Sequence, residues 1–238
     1  MGRPENPINK DLKRNARLAA FLRMRRNRVN ATYADLAELS EYSRQTLQRA
    51  ASGGGTVPPW PVVESFMEVS HASSDTDGDR TRSLQHAKNL WRKARYEQRR
   101  MTGPPRPDAP VLGLVRDEAD VAAVLVELYE QAGAPSMKEM EERAAGNGLL
   151  PHSTAHRIVT RKALPYSFDQ FDAFLIACEV PVQRREPWHN MWIRMFGAPR
   201  RGPLRSLMEN ASKAMDEAVR AESFRDAAAN TMALLGAA

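Results

Sequence analysis

The side chains that could do metal chemistry are few. Cys178, with His152, His156 and His189, offers zinc donors, but the spacing matches no zinc-ligand pattern. Cys178 also falls on an apolar stretch, where a buried free thiol is expected. Asp75, Asp77 and Asp79 alternate as at the start of a calcium loop. The twelfth position of that loop is His86 rather than a glutamate, so these carboxylates read as a polar, acidic, disordered loop. No Gly-x-Ser-x-Gly turn, phosphate-binding loop or dinucleotide fingerprint occurs. No catalytic residue, metal or cofactor is therefore expected, and the chain does not read as an enzyme. What stands out is non-covalent. Ser43-Arg-Gln-Thr-Leu-Gln-Arg49 places two guanidinium groups and two amides within seven residues.

The elements that position this cluster are helical throughout. Strand-like alternation is absent over any useful length. Apolar spacing predicts a first helix over about residues 11–26, with Leu12, Ala16, Leu18, Ala19 and Leu22 inward. Thr32 caps a second helix with Leu36 and Leu39 inward, and Ser43 caps a third with Leu47 and Ala50 inward. Ser52-Gly-Gly-Gly ends the third. Pro59-Trp60-Pro61 opens a fourth, with Val62, Val63, Phe66 and Val69 inward. Residues 70–82 read as a flexible polar loop, and a fifth helix is expected over about 81–99. Four prolines between Met101 and Pro110 read as a stiff linker and a domain boundary.

The order then repeats. Helices are expected over 118–131, from Ser136 to about 145, over 152–161, behind Ser167, and over 187–196. Ser136 with Glu139 forms a capping box. Thr32 and Ser136 correspond at a spacing of 104, Thr46 and Thr154 at 108, so the second copy carries four extra residues in its turn. The pattern is a tandem duplication of a five-helix unit. The expected fold is all-α: a basic helix-turn-helix domain at 1–103, a degenerate second one at 104–200, and a C-terminal amphipathic helix at 201–238. The four tryptophans are expected in the cores.

Residues 14–99 resemble the repressor/Cro (XRE-type) helix-turn-helix domains of phage and bacterial regulators. The likeness is to the actinobacterial tandem variety. It rests on Tyr42-Ser-Arg-Gln-Thr-Leu-Gln-Arg-Ala50, the glycine turn after Ser52, and Pro59-Trp60. Residues 117–196 resemble the same family more weakly. The resemblance implies that the helix behind Ser43 lies in the DNA major groove. It implies base contacts from Arg44, Gln45 and Arg49, with Gln48 flanking. Arginine suits guanine O6 and N7, and glutamine suits adenine N6 and N7. Thr32, Tyr33 and Ser43 occupy positions where the family touches phosphate. In the second copy the corresponding residues are His152, Ser153 and Arg157. There Pro151 replaces the capping Ser43 and Ala155 replaces Leu47.

Charge separates the copies. Of the chain's 35 Lys+Arg and 29 Asp+Glu, residues 1–103 hold 19 and 11, a net of +8. Residues 104–200 hold 11 and 13, a net of −2. Phosphate neutralisation supplies most non-specific DNA affinity, so the first copy is the expected DNA contact. The second is left open between weak DNA binding and protein contacts. Arg23, Arg25, Arg26 and Arg28, and Arg92, Lys93, Arg95, Arg99 and Arg100, are read either as solvated surface or as phosphate contacts. The stripe along 204–235 implies homodimerisation or docking back onto the second domain. With one cysteine, an arginine-rich composition and no apolar leader or membrane span, a cytoplasmic, nucleoid-associated bacterial protein is expected. The expected partner is double-stranded DNA and the expected role transcriptional regulation. Plasmid, phage or telomere maintenance, and a protein-interaction module, are the alternatives.

Overall fold

The computed structural model describes residues 5–103, 107–144 and 148–197, and these are all-α, with ten α-helices and no strand. The expected C-terminal helix with its dimerising stripe, and the centre of the proline-rich linker, lie outside the described residues. Residues up to Met195 belong to one compact unit. Within it, two clusters of buried apolar side chains form, one from residues 18–94 and one from residues 115–192.

The first cluster is built by α1 (Lys13–Arg28), α2 (Tyr33–Glu38), α3 (Arg44–Ala50), α4 (Trp60–Val69) and α5 (Asp77–Thr102). Leu18, Leu22, Leu36, Leu47, Val63 and Phe66 are fully buried at its centre. Each of these three- or four-residue spacings puts its side chains on one helix face. Leu39 is a correction, because it is 72% exposed rather than inward. The helix stops at Glu38, and Leu39 is its C-cap, so its direction is set by the turn and not by the helical period.

The stretch after α4 is also different from the polar loop that was expected. Ser70 and Asp75 are buried, and Thr76 caps α5 in a reciprocal capping box with Asp79. α5 therefore begins at Asp77, about four residues earlier than the apolar pattern suggests, and Asp77 and Asp79 sit in its first turn, where the helix dipole favours them. Asp75 accepts from Arg25 at 2.8 Å and from Arg28 at 2.6 Å. The carboxylate side chain is fully buried, and that of Arg25 is only 3% exposed. A solvated arginine cluster at the end of α1 is thus ruled out for Arg25, which is buried because it neutralises Asp75.

The second cluster is built by α6 (Glu118–Gln131), α7 (Met137–Arg143), α8 (His152–Val159), α9 (Phe168–Ala177) and α10 (Glu186–Phe196). Phe171 stacks on Trp192 with ring centroids 4.6 Å apart. Gln170 is buried, and its side-chain amide donates to the Leu149 carbonyl at 2.9 Å. That bond holds the far side of the longer α7–α8 turn.

The cationic face of α5 joins the two clusters. Arg99 forms a two-pronged ion pair with Glu130, and Tyr96 donates to Glu127 at 2.6 Å. Lys88, Arg92 and Arg143 converge on Glu179 at 2.8, 2.6 and 3.2 Å. Trp91 donates to the Pro58 carbonyl at 2.8 Å and lies against Gly133, where any Cβ would fall 2.5 Å from its ring. Gly133 also adopts φ +92°, so only glycine fits there without strain. Arg92, Arg99 and Arg100 thus pair with carboxylates, Arg100 reaching Asp108. Arg92 and Arg99 are thereby turned toward the second cluster, whereas the Arg100–Asp108 pair lies on the solvated surface.

Two measurements check these pairs. Arg25→Met leaves the Asp75 charge without its buried partner and should lower the melting temperature by roughly 10 °C. Arg28→Met, at a half-exposed end, should cost far less; equal effects in thermal denaturation would contradict the burial argument. Burial alone would raise the Glu179 carboxyl, but hydrogen bonding to Lys88 and the charges of Arg92, Lys88 and Arg143 outweigh it and hold it below the ordinary range. Its contribution is therefore present above the unfolded carboxylate value of about 4.3 and lost as pH falls through the lower folded value. Glu179→Gln should melt earlier than the parent protein at neutral pH, and the gap should close in acid.

Candidate nucleic-acid interface

α3 owes its start to Ser43, whose Oγ accepts from the Thr46 N–H at 3.3 Å and lies 3.0 Å from the Thr46 hydroxyl. Leu47 and Ala50 anchor the helix to the core. With those two positions inward, Arg44, Gln45, Gln48 and Arg49 all face outward and are exposed. Arg44 and Gln48 form one i,i+4 pair and Gln45 and Arg49 the next, so four long polar side chains cover adjacent stripes of one face. No ion pair involves Arg44 or Arg49 among the described residues.

α2 approaches the start of α3 across the turn at residues 39–43. Thr32 caps α2 through a capping box: its Oγ1 accepts from the Asp35 N–H at 3.2 Å, and its own N–H donates to the Asp35 carboxylate at 2.8 Å. Hydrogen bonding from the Thr32 N–H, and then from the Thr32 hydroxyl, lowers the Asp35 carboxyl below its usual value. A cleft of about 610 Å³ opens between these elements. It is lined by Thr32, Tyr33, Arg44 and Gln48 together with Arg26 and Glu5. The structure thus brings together four of the seven first-copy residues singled out by sequence. Gln45, Arg49 and Ser43 lie outside the cleft lining but on or beside the same short helix.

Tyr33 is placed differently from a simple phosphate contact. Its ring is buried, its hydroxyl donates to Glu5, and the Arg26 guanidinium lies 4.3 Å above its centroid. Burial, reinforced by the Glu5 hydrogen bond, pushes the phenol pKa well up. Glu5 also accepts from Arg26 at 2.9 Å and lies 3.0 Å from Arg23 Nε. Sequence reasoning did not single out Glu5, which is close in space to these residues and distant in sequence. The chain before α1 reaches this place along the glycine turn: the Asn9 N–H donates to the Ser52 carbonyl at 3.0 Å. Ile8 lies where a Cβ on Gly53 would come within 2.7 Å of it. Gly53, at φ +72°, is the glycine the turn requires.

In the second half, His152, Ser153 and Arg157 are likewise exposed on α8. Pro151 occupies the N-cap and makes no side-chain cap bond. The facing α7 carries Glu139, Glu141 and Glu142 with Lys138 and Arg143. Among the described residues, no three His, Cys, Asp or Glu side chains are grouped so as to hold a metal ion. Cys178 is a buried free thiol whose pKa burial raises strongly, and His189 pairs with Asp172 at 2.8 Å. No helix among the described residues is long and apolar enough to cross a membrane.

Loss of the cap gives a direct test of how the exposed face is held. Ser43→Ala should destabilise α3 by about 1 kcal/mol. Hydrogen exchange at the first amides of α3 should quicken, and unchanged exchange would contradict a capping role.

A family profile described as a helix-turn-helix domain matches residues 17–80, which span α1 to α4 and the start of α5. No curated protein and no solved structure matches the chain.

Proposed function

We propose that this chain is a sequence-specific double-stranded DNA-binding protein of the repressor/Cro type, acting as a transcriptional regulator, with α3 in the major groove. The observation that carries the reading is the exposed α3 face within the matched helix-turn-helix segment. Arg44, Gln45, Gln48 and Arg49 project from it, and the described residues offer Arg44 and Arg49 no carboxylate partner. Arg23, Arg25, Arg26 and Arg28 of α1 and Lys88, Arg92 and Arg99 of α5 are bound to Glu5, Asp75, Glu179 and Glu130, whereas Arg44 and Arg49 on α3 meet no carboxylate among the described residues and are open to an outside polyanion. Arg44 and Gln45, at the start of α3, would reach base edges. Gln48 and Arg49 extend the contact, while Ser43, Thr32 and Tyr33 flank the backbone.

Residues 104–200 act in this reading as a degenerate second copy. His152, Ser153 and Arg157 are exposed on α8, but the uncapped start and the net charge of −2 over residues 104–200 weaken its case as a reader.

Selection of bound fragments from random duplexes, followed by fluorescence anisotropy on the selected site, tests the proposal. Arg44→Ala combined with Gln45→Ala should abolish sequence preference, at about 1–3 kcal/mol per lost base contact, without changing the melting temperature. His152→Ala with Ser153→Ala should have a smaller effect. Binding should weaken steeply with salt. No binding to any duplex at low salt would overturn the function, and a larger loss from the second pair would move the reading helix to α8.

A further inference from the structure

The cleft beside α3 contains an acidic side chain at the place where a polyanion should arrive. Glu5 is held by Arg23, Arg26 and Tyr33, and its carboxylate occupies the donor set of two guanidinium groups and a phenol. The same Arg26 and Tyr33 line the cleft with Arg44 and Gln48. A ligand lying along α3 therefore passes directly over this donor set. A carboxylate and a phosphodiester are both monoanions that present two acceptor oxygens, and guanidinium forks suit both.

The arm that carries Glu5 is fixed just behind it. Arg23 donates to the Asn6 carbonyl at 2.9 Å, Asn9 is bonded to Ser52, and Ile8 is seated at Gly53. Glu5 itself is held through its side chain, so releasing the carboxylate need not unseat the arm.

We propose that Arg23, Arg26 and Tyr33 form a seat for one backbone phosphate of bound DNA, and that Glu5 fills this seat as an internal competitor when DNA is absent. The inference rests on the DNA-binding reading above. Exchange of one monoanion for another leaves each arginine with an anionic partner in the free and bound states. The free protein thus avoids two adjacent unpaired guanidinium groups, and part of the DNA affinity is given up to displace Glu5. Non-specific binding, which depends on phosphate neutralisation, would be weakened most.

The test is anisotropy of the full-length protein on a random-sequence duplex across a salt series, comparing the parent protein, Glu5→Gln, and Glu68→Gln as a charge control on the exposed part of α4. Glu5→Gln should bind about tenfold more tightly at low salt, with a log–log salt slope steeper by about 0.9, the value for one further phosphate contact. Glu68→Gln should change little, and Arg26→Gln placed on Glu5→Gln should remove the gain. Equal tightening by the two glutamate variants would mean a general charge effect and overturn the seat. So would a Glu5→Gln protein that melts like its parent and binds no better. If Glu5→Gln melts early, Glu5→Ser is judged by the same criteria. When the parent protein binds and Glu5→Gln shows no gain, this inference fails alone. When neither protein binds any duplex, the DNA-binding reading fails and this inference with it.

Discussion

Asp75 is a fully buried carboxylate, and much of the structure follows from satisfying it. A buried charge without partners is far too costly to persist, so Arg25 and Arg28 must reach it from the end of α1. Meeting that requirement brings the chain after α4 back against α1. It fixes the point at which Thr76 can cap the next helix, and so starts α5 at Asp77. A helix of 26 residues then runs from the first apolar cluster to the second. Its length is what allows Lys88, Arg92 and Arg99 to reach Glu179 and Glu130.

Charge pairing also explains why the surface differs from what a residue count suggests. The excess of basic residues in the first half looks uniform along the chain, but most of the clustered arginines are committed. Arg23 and Arg26 are held by Glu5, Arg25 and Arg28 by Asp75, and Arg92, Arg99 and Arg100 of α5 by carboxylates of the second half. What distinguishes α3 is that Arg44 and Arg49, without an internal carboxylate among the described residues, share one exposed helix face with Gln45 and Gln48. That property belongs to the surroundings of the helix and cannot be counted from composition.

Much of the local structure was legible in the chain. Thr32, Ser43, Ser136 and Ser167 were identified as caps and are caps, because an N-cap is decided by a hydroxyl and the amide three residues on. The helix over 118–131 was read with its ends in place, since a regular apolar face of four turns carries its own period. Leu39 was misread because the same period was extended one residue beyond the helix end. The polar run at 70–82 was misread because burial of a carboxylate depends on a partner 50 residues earlier, and no local pattern announces it.

The sequence by itself determined the all-α class, the caps, the inward faces of α1, α3 and α4 and the outward position of Arg44, Gln45, Gln48 and Arg49. These are consequences of helical periodicity and of bonds between residues a few positions apart. Only the tertiary structure decided which cations are free. It paired Arg25 with Asp75, set Trp91 on Gly133, joined α5 to the second half, and placed Glu5 beside Tyr33 and Arg26 at the edge of the α3 cleft. Each of these is a contact between distant segments. Its energy depends on desolvation and on the approach of particular atoms, and neither is written in the spacing of residue types.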